Sequence, residues 1–272
     1  MAVPLPKEPE RDEETPEECV FRPVRGPDGR WSIEQLPLTL DALLHPRKDD
    51  HVPQSDPHTR ILNPLVDVLR RYLERQRQPD LAVFTDLLII WGVVGLRNVS
   101  PDVSVVEGLA DRRAVDRSLD LGEQEGARVR LVVEVVSPSS KLQRAKDEEH
   151  NPEVFRRAGV EDLVLVYPPR PDGTEPLRLK HLSLDPGGRY REARPDRRGR
   201  FLLRSVGLRI SADGERLALE DAVTGDRLLS SEEAEAAACR AEIRAASEAA
   251  ARREAEAELA RLREEVARLR AR

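Results

Sequence analysis

The sequence predicts a mixed α/β domain followed by a long C-terminal helix, and three observations predict it. Two short runs rich in β-branched residues, Val103-Ser104-Val105-Val106 and Leu131-Val132-Val133-Glu134-Val135-Val136, are nearly continuous in apolar character, as strands covered on both faces of a sheet are. Between Ile61 and Leu73, apolar residues recur at three-and-four spacing, the stripe of a helix that lies on a sheet. Residues 143–157 read as a helix placed between two buried strands, Leu131 to Val136 and Leu163 to Tyr167, which is the order of a crossover connection.

Taken in order, residues 1–35 are rich in Pro, Glu, Arg and Gly without a period and are expected to form a disordered or loosely docked arm. The domain proper is expected over 36–229. Thr39 to Leu44 predicts a short helix, and Ser55-Asp56-Pro57 supplies start signals for a longer one. In that longer helix Ile61, Leu62, Leu65, Val66, Val68, Leu69, Tyr72 and Leu73 form the apolar face, leaving Arg60, Asp67, Arg70 and Arg71 for solvent. Short apolar runs at 81–84, 87–91, 103–106, 131–136 and 163–167 predict the sheet. The helix over 143–157 is ended by Ala158-Gly159-Val160, where Gly suits the residue after the last turn. Runs at 177–184, 201–208 and 217–221 predict further, less buried strands. Residues 230–272 are almost wholly Ala, Glu and Arg with neither Gly nor Pro, a long helix capped at Ser230 or Ser231. Leu259, Leu262, Val266 and Leu269 give it a seam of about two heptads. A short coiled coil, a homodimer handle, a docking helix and a solvated helix all fit that seam.

Composition sets bounds. With 272 residues, 39% of them hydrophobic, the chain can bury one generous core, while 35% charged and 3% aromatic residues imply a large polar surface. A net charge of −6 argues against coating nucleic acid by bulk electrostatics, yet 45 Lys and Arg leave room for a local basic groove. Cys19 and Cys239 are too few for a disulfide framework or a zinc knuckle, so a reducing, cytoplasmic setting is expected. The first residues hold no apolar signal core, and no run of about 18 apolar residues occurs, so neither export nor a membrane partner is expected. Gly-rich phosphate loops, a Gly-x-Ser-x-Gly elbow and Cys/His zinc spacing are absent.

The informative residues are two carboxylates, Asp102 immediately before the first of the two runs and Glu134 within the second. A carboxylate in such a place must be neutralised by a cation, a metal or a proton. Two of them on neighbouring strands suggest a divalent-metal site for Mg²⁺ or Mn²⁺, which takes one or two carboxylates plus waters and substrate phosphate. Two plainer readings stand beside it: Asp102 as a strand-edge cap and Glu134 as half of a buried ion pair.

The order Pro101-Asp102, then Val132-Val133-Glu134-Val135-Val136-Ser137-Pro138-Ser139, then a charged helix ending Phe155-Arg156-Arg157-Ala158-Gly159-Val160-Glu161-Asp162, then Leu163-Val164-Leu165-Val166-Tyr167-Pro168 resembles the Uma-two family of restriction-type endonucleases. That family belongs to the PD-(D/E)XK nuclease superfamily, and the resemblance runs from about Leu36 to Ser230. It implies a restriction endonuclease-like mixed sheet flanked by helices, metal-dependent hydrolysis of DNA phosphodiesters, and Asp102 and Glu134 as metal carboxylates. The superfamily Lys, two residues after the second carboxylate, is Val136 here. The family's alternative Lys, four residues before the helix aromatic, is Asn151. Lys146 and Lys141 are the cations left near the site.

His58, at the start of the long helix, and Asp86, between two strands, are further candidate metal ligands. His51 and His150 have no constellation around them. The leading expectation is a Mg²⁺-dependent endodeoxyribonuclease using Asp102, Glu134 and Lys146 or Lys141. The alternative is a catalytically degenerate nuclease fold that binds or scaffolds through its C-terminal helix. A metal-independent hydrolase of small substrates is a third reading. Target sequence, DNA against RNA, and oligomeric state are not legible.

Overall fold

The computed structural model describes residues 19–45, 56–76, 80–115, 118–137, 141–170 and 172–270. The chain divides into two compact units between Leu228 and Leu229.

The first unit opens with a hairpin of β1 (Cys19–Arg25) and β2 (Trp31–Pro37). Residues 19–35 are thus ordered strands joined by a Gly26-to-Gly29 turn, a correction to the expected arm; residues 1–18 lie outside the described residues. The turn closes because Gly29 takes the left-handed conformation at φ 79. A short helix α1 (Leu40–Leu44) is capped by Thr39, whose hydroxyl accepts from the Ala42 amide. Then come α2 (Asp56–Arg75), β3 (Leu81–Thr85), β4 (Leu88–Ile90), β5 (Val103–Glu107), β6 (Ser118–Asp120) and β7 (Arg128–Val135). After them run α3 (Lys141–Ala145), a π turn (Lys146–His150), α4 (Asn151–Arg157), β8 (Asp162–Tyr167), β9 (Arg178–Leu184) and β10 (Tyr190–Glu192).

The central sheet has the strand order β10-β9-β8-β7-β5-β3, with β7 and β8 parallel and the other pairs antiparallel. Mixed pairing is what the helical crossover α3–α4 requires. Side chains alternate between the faces of β7. Leu131, Val133 and Val135 join the apolar stripe of α2, including Ile61, Leu65 and Leu69; Val132 and Val136 join Phe155, Val160 and Leu165 on the opposite face. Glu134 shares the parity of the second set.

Against the α2 side packs an antiparallel sheet of β11 (Phe201–Leu203), β12 (Leu208–Asp213), β13 (Arg216–Asp221) and β14 (Arg227–Leu228). The single strand predicted over 201–208 is therefore two, broken where Gly207 adopts φ 69. Likewise the run 87–91 gives only the three-residue β4, which leaves the central sheet and pairs in parallel with β6.

The buried Asp162 ties the sheets together. Its Oδ2 accepts from the Ser205 amide at 3.0 Å and the Ser205 hydroxyl at 2.6 Å, and its Oδ1 lies 2.7 Å from His181 Nε2. Because Ser205 and His181 both bond the carboxylate and not each other, this trio has no activated nucleophile.

The second unit holds α5 (Ser231–Arg270), opened by a reciprocal cap: the Ser230 amide donates to Glu233, and the Glu233 amide donates to the Ser230 hydroxyl. Its seam residues Leu259, Leu262, Val266 and Leu269 are exposed. Among the described residues no helix is long and apolar enough to cross a membrane.

Candidate active site

β5 and β7 pair with Val103 opposite Val133, so Asp102, one residue before β5, arrives opposite Glu134 at one end of the sheet. Asp102 extends the ladder with its side chain: Oδ2 accepts the Val135 amide at 2.6 Å. Its Oδ1 lies 3.3 Å from Nε2 of His58, which α2 delivers from its first turn. The two meet at ion-pair distance. Burial lowers the His58 pKa, and the carboxylates of Asp102, Asp86 and Asp147 outweigh it, leaving the net shift upward.

Asp86 is exposed and left-handed at φ 50, a conformation Asp tolerates. Its amide donates to the Pro101 carbonyl at 3.1 Å, which pins the turn that presents Asp102.

Glu134 is 1% exposed beneath α4. Burial pushes its pKa well above the ordinary carboxylate value, and the negative charges of Asp102 and Asp147 add to that push; Lys146 and the Asp102 amide oppose it. Its Oε1 accepts from Asn151 Nδ2 at 3.3 Å. The Asn151 oxygen accepts from Arg97 Nη2 at 2.7 Å, and Arg97 Nη1 donates to the Leu44 carbonyl at 3.2 Å. Since a guanidinium only donates, it fixes which end of the Asn151 amide faces Glu134.

The helix above this site changes winding for a reason visible in the sequence. Pro152 has no amide hydrogen, and its ring would crowd the carbonyl of residue 148 in an α-helix. The backbone widens instead, and the Asn151 amide donates to the Lys146 carbonyl, five residues back. In an unbroken α-helix residues five apart point about 140° away from each other. The π turn brings Lys146, Asp147 and Asn151 toward the sheet together, where Asp147 and Asn151 are buried. Asn151 is thus the first residue of α4, and its side chain serves the site.

Lys146 Nζ lies 3.1 Å from Asp147 Oδ1. Burial would lower the Lys146 pKa, but Asp147, Glu134 and Asp102 raise it further, so the ammonium stays charged. Burial raises the Asp147 pKa more than Lys146 lowers it. Lys141 is exposed at the start of α3, and among the described residues no ion pair or hydrogen bond joins it to Asp102 or Glu134.

The structure therefore gathers Asp102, Glu134, His58 and Lys146 and sets Asp86 at the rim, while Lys141 stays outside. Sequence reasoning missed Asp147 and Arg97. Asp147 is hidden in a run of charges, and only Pro152 hints at the winding that turns it inward. Among the described residues no three His, Cys, Asp or Glu side chains stand together as a ready metal-ligand set. The donors nevertheless suit a hard cation that binds through one or two carboxylates and fills its remaining positions with water and phosphate oxygens. Asp102 and Glu134 are carboxylates of that kind, and Asp147, ion-paired with Lys146, is a third close by.

Residues 50–219 match the model of the Uma2 family, described as "Putative restriction endonuclease". Among solved structures, a putative nuclease belonging to DUF820 from Anabaena variabilis aligns with 17% identity and a TM-score of 0.37, over 65% of this chain and 78% of that one. No curated protein matches the chain.

Proposed function

The chain belongs to the Uma2 family of restriction endonuclease-type proteins, and from that premise we propose that it is a divalent-metal-dependent endonuclease hydrolysing DNA phosphodiester bonds at Asp102 and Glu134. The observation that carries this reading is the placement of the half-buried Asp102, one residue before β5, opposite the buried Glu134 of β7, with a third carboxylate and its paired ammonium turned onto them.

Asp102 and Glu134 would hold Mg²⁺ or Mn²⁺. Such an ion, when bound, supplies Lewis acidity toward the phosphate and lowers the pKa of a coordinated water. Asn151, held by Arg97, keeps the Glu134 carboxylate in its rotamer. Lys146, held protonated by the surrounding carboxylates, would serve as a positive charge facing the pentacoordinate phosphorus: the attacking water forms the new phosphorus–oxygen bond and releases its proton to solvent, while the bond to the leaving oxygen breaks and that oxygen takes a proton from solvent. His58 orients Asp102 from the other side. The scaffold reading draws support from Asn151, a neutral amide in the family's Lys position, and from the exposed seam of α5.

Calorimetric titration with Mg²⁺ and Mn²⁺ of wild type, Asp102→Asn and Glu134→Gln, run beside plasmid cleavage, decides between them. Binding and nicking by wild type, with both lost in the variants, is the expected result. Metal binding without cleavage moves the reading to the scaffold; no binding at all leaves the carboxylates structural.

A further inference from the structure

We propose that the cationic edge of the central sheet, formed by Arg178 and Lys180 of β9 and by Arg194, Arg197 and Arg198 beyond β10, carries the phosphodiester backbone of duplex DNA to the candidate active site. This rests on the nuclease reading above and adds the surface by which the substrate is held.

The register places these cations. Glu134 pairs with Leu165, and Leu165 with Lys180, so Lys180 stands in the same rank as the site carboxylate, two strands away, or about 10 Å at ordinary strand spacing. Tyr167 and Arg178 form the next rank on the same face, with the guanidinium 5.1 Å above the ring. The Ala193 amide donates to the His181 carbonyl at 2.9 Å, which brings Arg194 alongside Lys180. The ladder between β10 and β9 covers only Leu182 to Leu184, so the half of β9 that bears Arg178 and Lys180 borders a cavity of about 410 Å³. Gly199 lines that cavity, and Arg197 and Arg198 precede it in the same turn.

These charges are available. The side chains of Arg178 and Lys180 are 58% and 41% exposed; their carboxylate neighbours, Glu175 at 3.3 Å and Glu192 at 4.0 Å, are themselves exposed. Exposed pairs of this kind contribute little and yield readily to a phosphate. Arg194, Arg197 and Arg198 are exposed, and among the described residues no carboxylate pairs with their guanidinium groups. In a chain of net charge −6, five cations leading from the acidic site make a local field of opposite sign to the whole.

The test is the affinity of the full chain for a short fluorescein-labelled DNA duplex, read by anisotropy across a salt series. It compares wild type with Arg178→Glu/Lys180→Glu and with Arg197→Glu/Arg198→Glu; the second pair sits in an exposed turn. Melting curves and Mn²⁺ calorimetry run on the same samples. We expect each pair to weaken binding at least about tenfold and to flatten the slope of log K against log salt by about 2, with Mn²⁺ affinity unchanged. Folded variants that bind the duplex with wild-type affinity and slope would overturn the proposal and leave the nuclease reading standing; the cations would then only guard an open sheet edge. A wild type that binds no duplex, cleaves none and takes up no Mn²⁺ would overturn both.

Discussion

Glu134 and Asp162 are both 1% exposed carboxylates on adjacent strands of one sheet, and they are treated in opposite ways. Asp162 receives the Ser205 amide, the Ser205 hydroxyl and the His181 ring; burial pulls its pKa up, but these donors pull harder, and the net shift is downward. Glu134 receives the Asn151 amide yet faces Asp102 and Asp147, and its net shift is upward. Burial is common to both. What differs is whether the fold itself supplies the compensation: at Asp162 it does, and the charge is structural, while at Glu134 the compensation is left for something outside the chain.

The most forceful way to break that comparison is to remove Asp162. Asp162→Ala strands the buried Ser205 amide and hydroxyl and leaves both nitrogens of His181 unpartnered, since Nδ1 has no hydrogen bond already. A loss of about 3–5 kcal/mol is expected from urea unfolding, because several buried polar groups are left unsatisfied at about 1–3 kcal/mol each. A loss below about 1 kcal/mol would mean that the network is decoration, and the contrast with Glu134 would go with it.

The next test sharpens the active end. Lys146→Ala removes the ammonium that the π turn aims at the carboxylates and should lower kcat for metal-dependent cleavage about 10²–10³-fold, in the range of other fixed electrostatic groups. Lys141→Ala should leave it unchanged, because Lys141 points into solvent. Equal effects from the two would show that neither cation has a defined place in the chemistry.

How much of this was legible depended on whether the signal was local. The stripe from Ile61 to Leu73 produced α2, and the runs around Val105, Val133 and Val164 produced β5, β7 and β8, because burial on a helix stripe or on both faces of a strand writes itself into consecutive residues. The pairing of Asp102 with Glu134 followed from the same runs. The hairpin β1–β2 was obscured by the surrounding Pro and Glu, although Gly26-Pro27-Asp28-Gly29 is a turn signal and Val20 and Phe21 mark the first strand. The strand β6 is three residues long and too short to show a period. Asp162 and His181, 19 residues apart, meet through the pairing of β8 with β9, and Ser205, 43 residues from Asp162, joins them only through the packing of two sheets, which no local pattern encodes. Asp147 lies between these cases: its inward turn follows from Pro152, five residues on, once the proline is read as widening the helix.

The smallest expected effect is also the most specific to the comparison, because its sign is reversed between the two residues. A depressed carboxylate such as Asp162 stabilises the fold above its unfolded pKa, and that contribution is lost as pH falls through the folded value. A raised carboxylate such as Glu134 behaves oppositely. The folded protein holds the proton that the unfolded chain releases near the ordinary value of 4.5, so stability declines as pH rises from there toward the elevated folded pKa. Glu134→Gln keeps an acceptor for Asn151 and carries no charge for Asp102 and Asp147 to repel. Its melting temperature should therefore match wild type at low pH and pull ahead as pH rises, reaching a gain of about 1 kcal/mol near neutrality, the size typical of relieving a functional site. Saturating Mn²⁺ should erase the difference by stabilising wild type alone, and more effectively at higher pH, since the metal needs the ionised carboxylate. A Glu134→Gln variant that is less stable than wild type at every pH would mean that Glu134 is as well compensated as Asp162, and that the fold leaves nothing at this end of the sheet for a cation to neutralise.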